Sequence, residues 1–369
     1  MQQKKYVVIG LMSGSSLDGI DLVAAAFIKE SEMWSYSIRA SRFVPYPDFW
    51  KIKLAEAYNS SKAVIEMLDR DYGSFLGNEV KHFVTENHLE PDFVSSHGHT
   101  IFHQPEKQFT LQIGNGQTLA DACGLRVIND FRSEDVSKGG QGAPLVPIGD
   151  RLLFSNYDCC LNIGGIANLS VERNGKRIAY DICIANQALN YIAGIKGLEM
   201  DYDGALAKNG KLIPSLFEAL ERDDYFQKAH PKSLGREFFE TKLKPLLSDY
   251  SDQAENLSHT YLQHLVMRIV TELIRLDVKK VLVSGGGALN TYLIQQLKEQ
   301  SQAEIIVADE LLINFKEALI FAFLGVLKSR NEVNVLASAT GASSDSCSGN
   351  FWSPSMVRKY TKADENQLC

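Results

Sequence analysis

The stretch Gly10–Asp21, GLMSGSSLDGID, decides how the rest of the chain is read. Before it, Tyr6–Ile9 is a short apolar run rich in β-branched residues, which predicts a buried strand. After it, Ile20–Phe27 predicts a second strand. The link carries Gly14, Gly19, Ser13, Ser15, Ser16, Asp18 and Asp21, so it is a tight polar turn whose backbone N–H groups and hydroxyls suit a phosphate. A plain hairpin turn uses the same residue types. The two carboxylates weigh toward a ligand, because acids beside a phosphate-sized turn call for a cation or a proton to move. Neither a P-loop lysine nor a GxGxxG occurs here, so a nucleotide fold would have to open on a β-hairpin.

Composition sets the frame. At 369 residues the chain is long enough for two domains, each with its own core. Charged residues at 22% and hydrophobic residues at 45% are those of a globular enzyme. A net charge of −7 without a basic stripe argues against a nucleic-acid partner. The start MQQKKYVVIG has too brief an apolar run for a signal peptide or a membrane span, so the reading is cytoplasmic, with no membrane partner. Six cysteines without a CxxC read as reduced thiols in core positions.

Along the first half, Ser35–Phe43 reads as a third strand, followed by helices over Phe49–Tyr58 and Ala63–Asn87 and a strand at Asp92–Ser96. That strand delivers HGHTIFHQP, where His97, His99 and His103 lack a further ligand at zinc spacing and read as a hydrogen-bonding loop. Short strands at Thr110–Ile113 and Arg126–Ile128 flank a small helix, Gln117–Cys123. Then comes DFRSEDVSKGGQGAPLVP, whose glycines and prolines predict no regular structure. It reads as an interdomain connection, as a substrate loop, or as both. In the second role Arg132 is a bidentate donor for carboxylate or phosphate, and Asp130 an acceptor for sugar hydroxyls.

The second half repeats the plan. Strands at Asp158–Ile163, Ala167–Glu172 and Arg177–Asp181 enclose the turn Gly164-Gly165-Ile166, so CLNIGGIANLSV echoes the opening hairpin. Helices follow near 186–195, 203–208, 214–221, 236–247 and 253–276. Lys280–Val283 then reads as a final buried strand that runs into Gly285-Gly286-Gly287 and a helix from Asn290 to Glu299. The triple glycine is either a strand-to-helix turn or unblocked backbone at a positive helix end for a nucleotide. The tail from Ser343 to Cys369 is polar and patternless and predicts a loosely held end.

Taken together, GLMSGSSLDGID, HGHTIFHQP, QIGNGQ, DFRSEDVSKGGQGAPLVP, LNIGGIANLS, PKSLGREFF, VSGGGALN, KEALIFAFL and TGA resemble, in order, the motifs of the anhydro-N-acetylmuramic acid kinases. The resemblance covers the chain from about Gly10 to Ala342. It implies an α/β fold of the actin, hexokinase and Hsp70-like superfamily, with two ribonuclease-H-like domains facing an interdomain cleft. The first would hold residues 1–135 and about 337–369, the second residues 136–336. It also implies a reaction in which ATP, magnesium and water open 1,6-anhydro-N-acetylmuramic acid and phosphorylate the released hydroxyl, giving N-acetylmuramic acid 6-phosphate for cell-wall recycling.

Residue by residue, the resemblance makes Asp181 the base toward water, where the residues alone also allow a strand-end aspartate in a turn. Gly14, Ser15, Ser16, Leu17, Asp18, Gly19, Ile20 and Asp21 match the ATP phosphate loop, with Asp18 positioning magnesium through water. Gly164, Gly165, Gly285, Gly286 and Gly287 complete the nucleotide cradle. Thr100, Gln112, Asp130, Arg132 and Glu317 fall where sugar contacts are expected, Arg132 on the lactyl carboxylate. Glu317 reads equally as a helix-start partner of the dipole. The partners implied are a small sugar and ATP, and the long helices after Arg236 offer a homodimer face. One departure stands out: after its catalytic aspartate the family has Thr-Gly-Pro-Gly-Asn, where this chain has Ile182-Cys183-Ile184-Ala185-Asn186. His99 and Leu234 also stand where the family has glutamine and threonine. These changes keep open a same-fold nucleotide-binding protein without turnover, and a kinase for another sugar.

Overall fold

The computed structural model describes residues 5–14 and 17–355. In chain order its strands are β1 (Lys5–Met12), β2 (Gly19–Glu30), β3 (Met33–Pro45), β4 (Phe93–Ser96), β5 (His99–Gln104), β6 (Phe109–Ile113), β7 (Val127–Asn129), β8 (Cys159–Ile163), β9 (Ile166–Arg173), β10 (Lys176–Ile184), β11 (Lys280–Ser284), β12 (Glu304–Val307) and β13 (Asn350–Trp352). Packing divides the chain into two compact units. One holds residues 1–137, 317–333 and 347–369, the other residues 138–316 and 334–346.

In the first unit the main sheet runs β13-β7-β4-β1-β2-β3. β1 pairs antiparallel with β2, which pairs antiparallel with β3, whereas β1, β4 and β7 are parallel neighbours. β1 and β2 lie inside the sheet, and Val8, Ile9 and Leu11 of β1 and Leu22, Val23, Ala24, Ala25 and Ala26 of β2 are buried on both faces. Gly10 in β1 is required by close approach, because a Cβ there would overlap the carbonyl oxygen of Ala318 in the helix Glu310–Ser329. The helix Lys62–Glu86 turns Ile65, Leu68, Tyr72, Leu76, Val80 and Phe83 into the core at helical spacing, and the Ser61 side chain caps its start.

The second unit repeats this topology with the order β10-β9-β8-β11-β12. β8–β9 and β9–β10 are antiparallel; β8–β11 and β11–β12 are parallel. Three antiparallel strands followed by two parallel ones, in the spatial order 3-2-1-4-5, is the ribonuclease-H-like arrangement, and each unit has it. The long helix Ala254–Arg275 buries Leu257, Tyr261, Leu265 and Ile269 in this unit's core.

Several elements differ from the sequence reading. HGHTIFHQP is not a loop, since His99–Gln104 is β5, paired with β6 in a separate two-stranded sheet. Lys280–Val283 is not the final strand of the second half, because β12 adds the fifth position parallel to β11. The stretch read as structureless holds a short helix, Ser133–Ser137, and its last proline opens another, Pro147–Leu153. The tail is anchored through Ser355. β13 pairs with β7, Trp352 Nε1 donates to Asn129 at 2.8 Å, and Gln117 donates to the Ser353 carbonyl at 2.9 Å.

Candidate functional site

In the first unit the turn from β1 to β2 includes Ser15 and Ser16, which lie outside the described residues. Gly14 precedes them. Leu17 takes a positive φ of 58° and packs against the core. Asp18 turns its Oδ1 back onto the Gly19 amide at 2.9 Å, while its carbonyl accepts the Tyr46 amide at 2.9 Å. Gly19 is sterically fixed, since a Cβ would overlap the Val44 carbonyl oxygen. The Ile20 side chain is fully buried, so only its backbone is at the turn.

Asp21 follows on β2, opposite Met12. Burial, the charge of Asp18 and the charge of Glu317 push its carboxyl up to about 7. These three acids therefore share one field. Glu317 lies two turns inside the helix Glu310–Ser329 and not at its start, so the helix dipole does not account for it.

The raised Asp21 has a consequence for stability. The folded chain holds this proton more tightly than the unfolded chain, whose carboxyl titrates near 3.8. Its contribution is thus fully present below pH 3.8 and is lost as pH rises through about 7. Asp21→Asn is expected to match the wild type at the acid end of that window and to be the more stable protein at its alkaline end. Urea midpoints of both proteins across the window check this.

Under the turn lies a buried polar chain. Ser13 Oγ is 2.6 Å from the Tyr46 hydroxyl and 2.8 Å from His99 Nδ1, and Tyr46 is 2.5 Å from the Tyr72 hydroxyl. Burial holds His99 at about 4, so it is a neutral hydrogen-bonding ring. Thr100 and Gln112 face each other across β5 and β6, where Gln112 Nε2 donates to Thr110 Oγ1 at 2.8 Å and to Thr100 Oγ1 at 3.3 Å.

Asp130, at a positive φ of 61°, accepts the Ser133 amide at 3.3 Å and the Asn350 side chain at 3.1 Å. Arg132 donates through Nε and Nη2 to His97 Nε2, at 3.1 and 2.8 Å. Burial lowers the guanidinium to about 10, against the attraction of Glu317 and Asp135. Among the described residues no group of three His, Cys, Asp or Glu side chains is placed to hold a metal.

In the second unit the two glycine turns meet at Asn186. The Gly164 and Gly165 carbonyls accept the amides of Asn186 and Ala185 at 3.0 and 2.8 Å, and the Asn186 side chain donates to the Ile163 carbonyl at 3.2 Å. Gly285 (φ 82°) and Gly287 are demanded by the fold, because a Cβ on either would press into Ile163. Gly164, Gly165 and Gly286 are different. A Cβ on any of them meets nothing closer than 3.4 Å. Neither packing nor a positive φ requires glycine at these three positions.

Asp181 is not at the end of its strand. β10 runs on to Ile184, with a bulge between Asp181 and Cys183 that re-aims the chain. The Asp181 carboxylate is half-buried and accepts the Leu234 amide at 2.8 Å. Burial raises its pKa and the Leu234 hydrogen bond lowers it, with a net upward shift. Its backbone is held from both sides: its amide donates to the Lys232 carbonyl at 3.3 Å, and the Tyr225 hydroxyl donates to its carbonyl at 2.7 Å. Lys232 is itself buried and paired at 3.4 Å with Glu272, which also accepts from the Tyr180 hydroxyl at 2.9 Å.

A family profile described as anhydro-N-acetylmuramic acid kinase matches residues 6–354. The chain belongs to this family. It is 34% identical over 361 residues to the anhydro-N-acetylmuramic acid kinase of Actinobacillus pleuropneumoniae serotype 7, with 92% of this chain and 96% of that protein covered. It is 33% identical over 364 residues to the anhydro-N-acetylmuramic acid kinase of Sulfurimonas denitrificans, with 92% and 98% covered. Among solved structures, component A of the (R)-2-hydroxyglutaryl-CoA dehydratase of Acidaminococcus fermentans aligns at a TM-score of 0.44 and 16% identity, covering 86% of this chain and 96% of that one. The fold assignment rests on the strand order instead.

Within the anhydro-N-acetylmuramic acid kinase family, the departure expected after Asp181 falls on buried residues. Ile182, Cys183, Ile184 and Ala185 are all at most 2% exposed and lie in the core of the second unit, so their added bulk points into packing. At Leu234, where the resemblance places a threonine, it is the backbone amide that meets Asp181. Cys159, Cys160 and Cys183 are free buried thiols, and burial pushes Cys160 up to about 12. No helix among the described residues is long and apolar enough to cross a membrane.

Proposed function

We propose that this chain uses ATP and water to convert 1,6-anhydro-N-acetylmuramic acid into N-acetylmuramic acid 6-phosphate. The observation that carries the reading is Asp181. It is a half-buried carboxylate with a raised pKa, oriented by one backbone amide, in a chain whose family match spans 6–354. As base, Asp181 takes a proton from the water that attacks the anomeric carbon. The bond from that carbon to O6 breaks with its electron pair on O6, and O6 takes the γ-phosphoryl group as ADP leaves. The phosphoryl group thereby does for the leaving oxygen what a general acid does in a glycosidase.

The chain's own groups are assigned around that step. The Gly14–Asp21 turn and the open glycines 164, 165 and 286 bind the nucleotide, together with the fold-required Gly285 and Gly287. Thr100, Gln112, Asp130 and Glu317 take sugar hydroxyls, and Arg132 takes the lactyl carboxylate. Magnesium fits the first unit in one way: the mutual repulsion felt by Asp21 beside Asp18 and Glu317 favours a cation, and a cation kept mainly by phosphates and water needs only one carboxylate, Asp18. When bound, it would offset the charge of the transferring phosphates. The same reading takes the protein as a cytoplasmic homodimer.

The test is a panel of sugars with purified protein, ATP and magnesium, with the mass of the particle in solution recorded on the same sample. ADP and a 6-phosphosugar are expected with 1,6-anhydro-N-acetylmuramic acid. No ADP with that sugar, or turnover only with a different sugar, overturns the reading.

A further inference from the structure

In the second unit a single polar row crosses four strands. The register sets Asp181 of β10 opposite Asn168 of β9, Asn168 opposite Asn162 of β8, and Asn162 opposite Ser284 of β11. Residues paired in this way share a face of the sheet, on strands about 4.8 Å apart. The residues next to them, Tyr180, Leu169, Leu161 and Val283, belong to the core of this unit, so the row lies on the face turned away from that core. Asp181 stands at one end. At the other, Ser284 directly precedes Gly285, where a Cβ would lie 2.5 Å from Asn162 Oδ1, so the row runs from the proposed base to a glycine turn.

Polar side chains set into a sheet normally bond to one another or to the backbone. These do not. The side chains of the partly exposed Asn162 and Asn168 make no hydrogen bond to another described residue, and the buried Ser284 hydroxyl has no partner among them either. On Asp181 the Leu234 amide takes Oδ2. Asn168 therefore stands beside the base with a carboxamide that the fold does not use. It lies within LNIGGIANLS, yet only the pairing of β9 with β10 sets it against Asp181. We infer that Asn168 is the second group that holds the attacking water. Asp181 takes one proton of that water, and the Asn168 side-chain oxygen accepts the other O–H, which stays on its oxygen and becomes the anomeric hydroxyl. Held at both hydrogens, the water turns a lone pair toward the anomeric carbon, where the new bond forms as the bond to O6 breaks. An uncharged acceptor suits the place, because a second carboxylate there would repel the anion of Asp181. The inference rests on the kinase reading and adds a water-positioning residue to it.

The experiment is steady-state kinetics against pH for the full chain with ATP, magnesium and 1,6-anhydro-N-acetylmuramic acid, comparing wild type, Asn168→Ala and Asn168→Asp. Asn168→Ala is expected to lower kcat by about 10- to 100-fold, the effect of losing one hydrogen bond and the orientation it gives, with KM for ATP and for the sugar little changed. Should Asn168→Ala not fold, as judged by its thermal midpoint, Asn168→Leu, which keeps the volume, is measured in its place with the same expectation. Asn168→Asp keeps the size and an acceptor but adds a charge. Its acid limb of kcat is expected to move to higher pH by about one unit or more, as for carboxylates that share a site; a carboxylate on the other face of the sheet would leave the limb in place. The other titratable groups near Asp181, the Lys232–Glu272 pair, Tyr225 and Cys183, are the same in every variant. A wild-type kcat in the apolar variant, a loss there confined to KM, or an unmoved limb in Asn168→Asp overturns the inference and leaves the kinase reading standing. A wild type without turnover overturns both, so the two failures are told apart.

Discussion

Asp181→Asn is expected to lower kcat by about 10²- to 10⁴-fold, the range over which a positioned base contributes, with sugar affinity nearly unchanged. Asparagine keeps the size of the side chain and an oxygen for the Leu234 amide, now at 2.8 Å from the carboxylate. What it loses is the ability to accept a proton from water. The backbone contacts with Lys232 and Tyr225 do not involve the side chain and are unaffected. The pH profile supplies the second arm. In the wild type kcat should fall on the acid side as Asp181 becomes protonated, with the midpoint above 3.8 because burial disfavours the anion. In the variant that limb should vanish from the residual rate. Steady-state rates against pH, with calorimetric sugar binding, check both arms; a variant with wild-type kcat rules Asp181 out as the base.

Glu272→Ala is expected to cost about 3–5 kcal/mol of unfolding free energy, the penalty for leaving a buried charge without its partner. The Lys232 side chain is 2% exposed and that of Glu272 is 9% exposed. Without Glu272, the ammonium keeps only the ring faces of Tyr225 and Tyr180, at 4.8 and 5.5 Å, and the Tyr180 hydroxyl loses its acceptor. Removing both buried charges, in Lys232→Met with Glu272→Leu, is expected to recover part of the loss, since a buried pair is often matched by apolar groups of its volume, while the partly exposed Arg275, which also pairs with Glu272 at 2.6 Å, keeps only the Tyr180 hydroxyl. Because the Lys232 carbonyl accepts the Asp181 amide, the single variant should also lose activity and the double variant regain part of it. Urea unfolding of the three proteins measures this. A single variant within about 0.5 kcal/mol of wild type, the range of an ordinary surface change, contradicts it.

Much of the fold could be read from the chain because its strongest signals are local. β1, β2, β8 and β9 are apolar, β-branched and separated by glycine turns, so the repeated hairpins announce themselves. β12 and β13 did not, because four residues and three residues carry no periodicity, and their pairing comes from β11 and β7, far away in sequence. The end of β10 was misplaced for a related reason. A bulge is a feature of pairing, and Ile182-Cys183-Ile184 continues the strand because the core has room for it.

The site divides along the same line. Glycine turns and acids could be named from spacing, but which glycines the fold itself requires depends on Ile163 lying under Gly285 and Gly287. The His97–Arg132 pair spans 35 residues and the Asp181–Leu234 bond spans 53, so neither was visible before the chain was folded. Glu317 could be named but not interpreted, since the helix start at Glu310 was missing from the reading.

The most direct measurement is to run the reaction in ¹⁸O-labelled water and locate the label by mass spectrometry and phosphorus NMR. If water, with Asp181 as base, opens the sugar while O6 takes the phosphoryl group, one ¹⁸O appears on the anomeric carbon of the phosphosugar and none in its phosphate. Label in the phosphate, or an unlabelled anomeric carbon at the first turnover, contradicts the account.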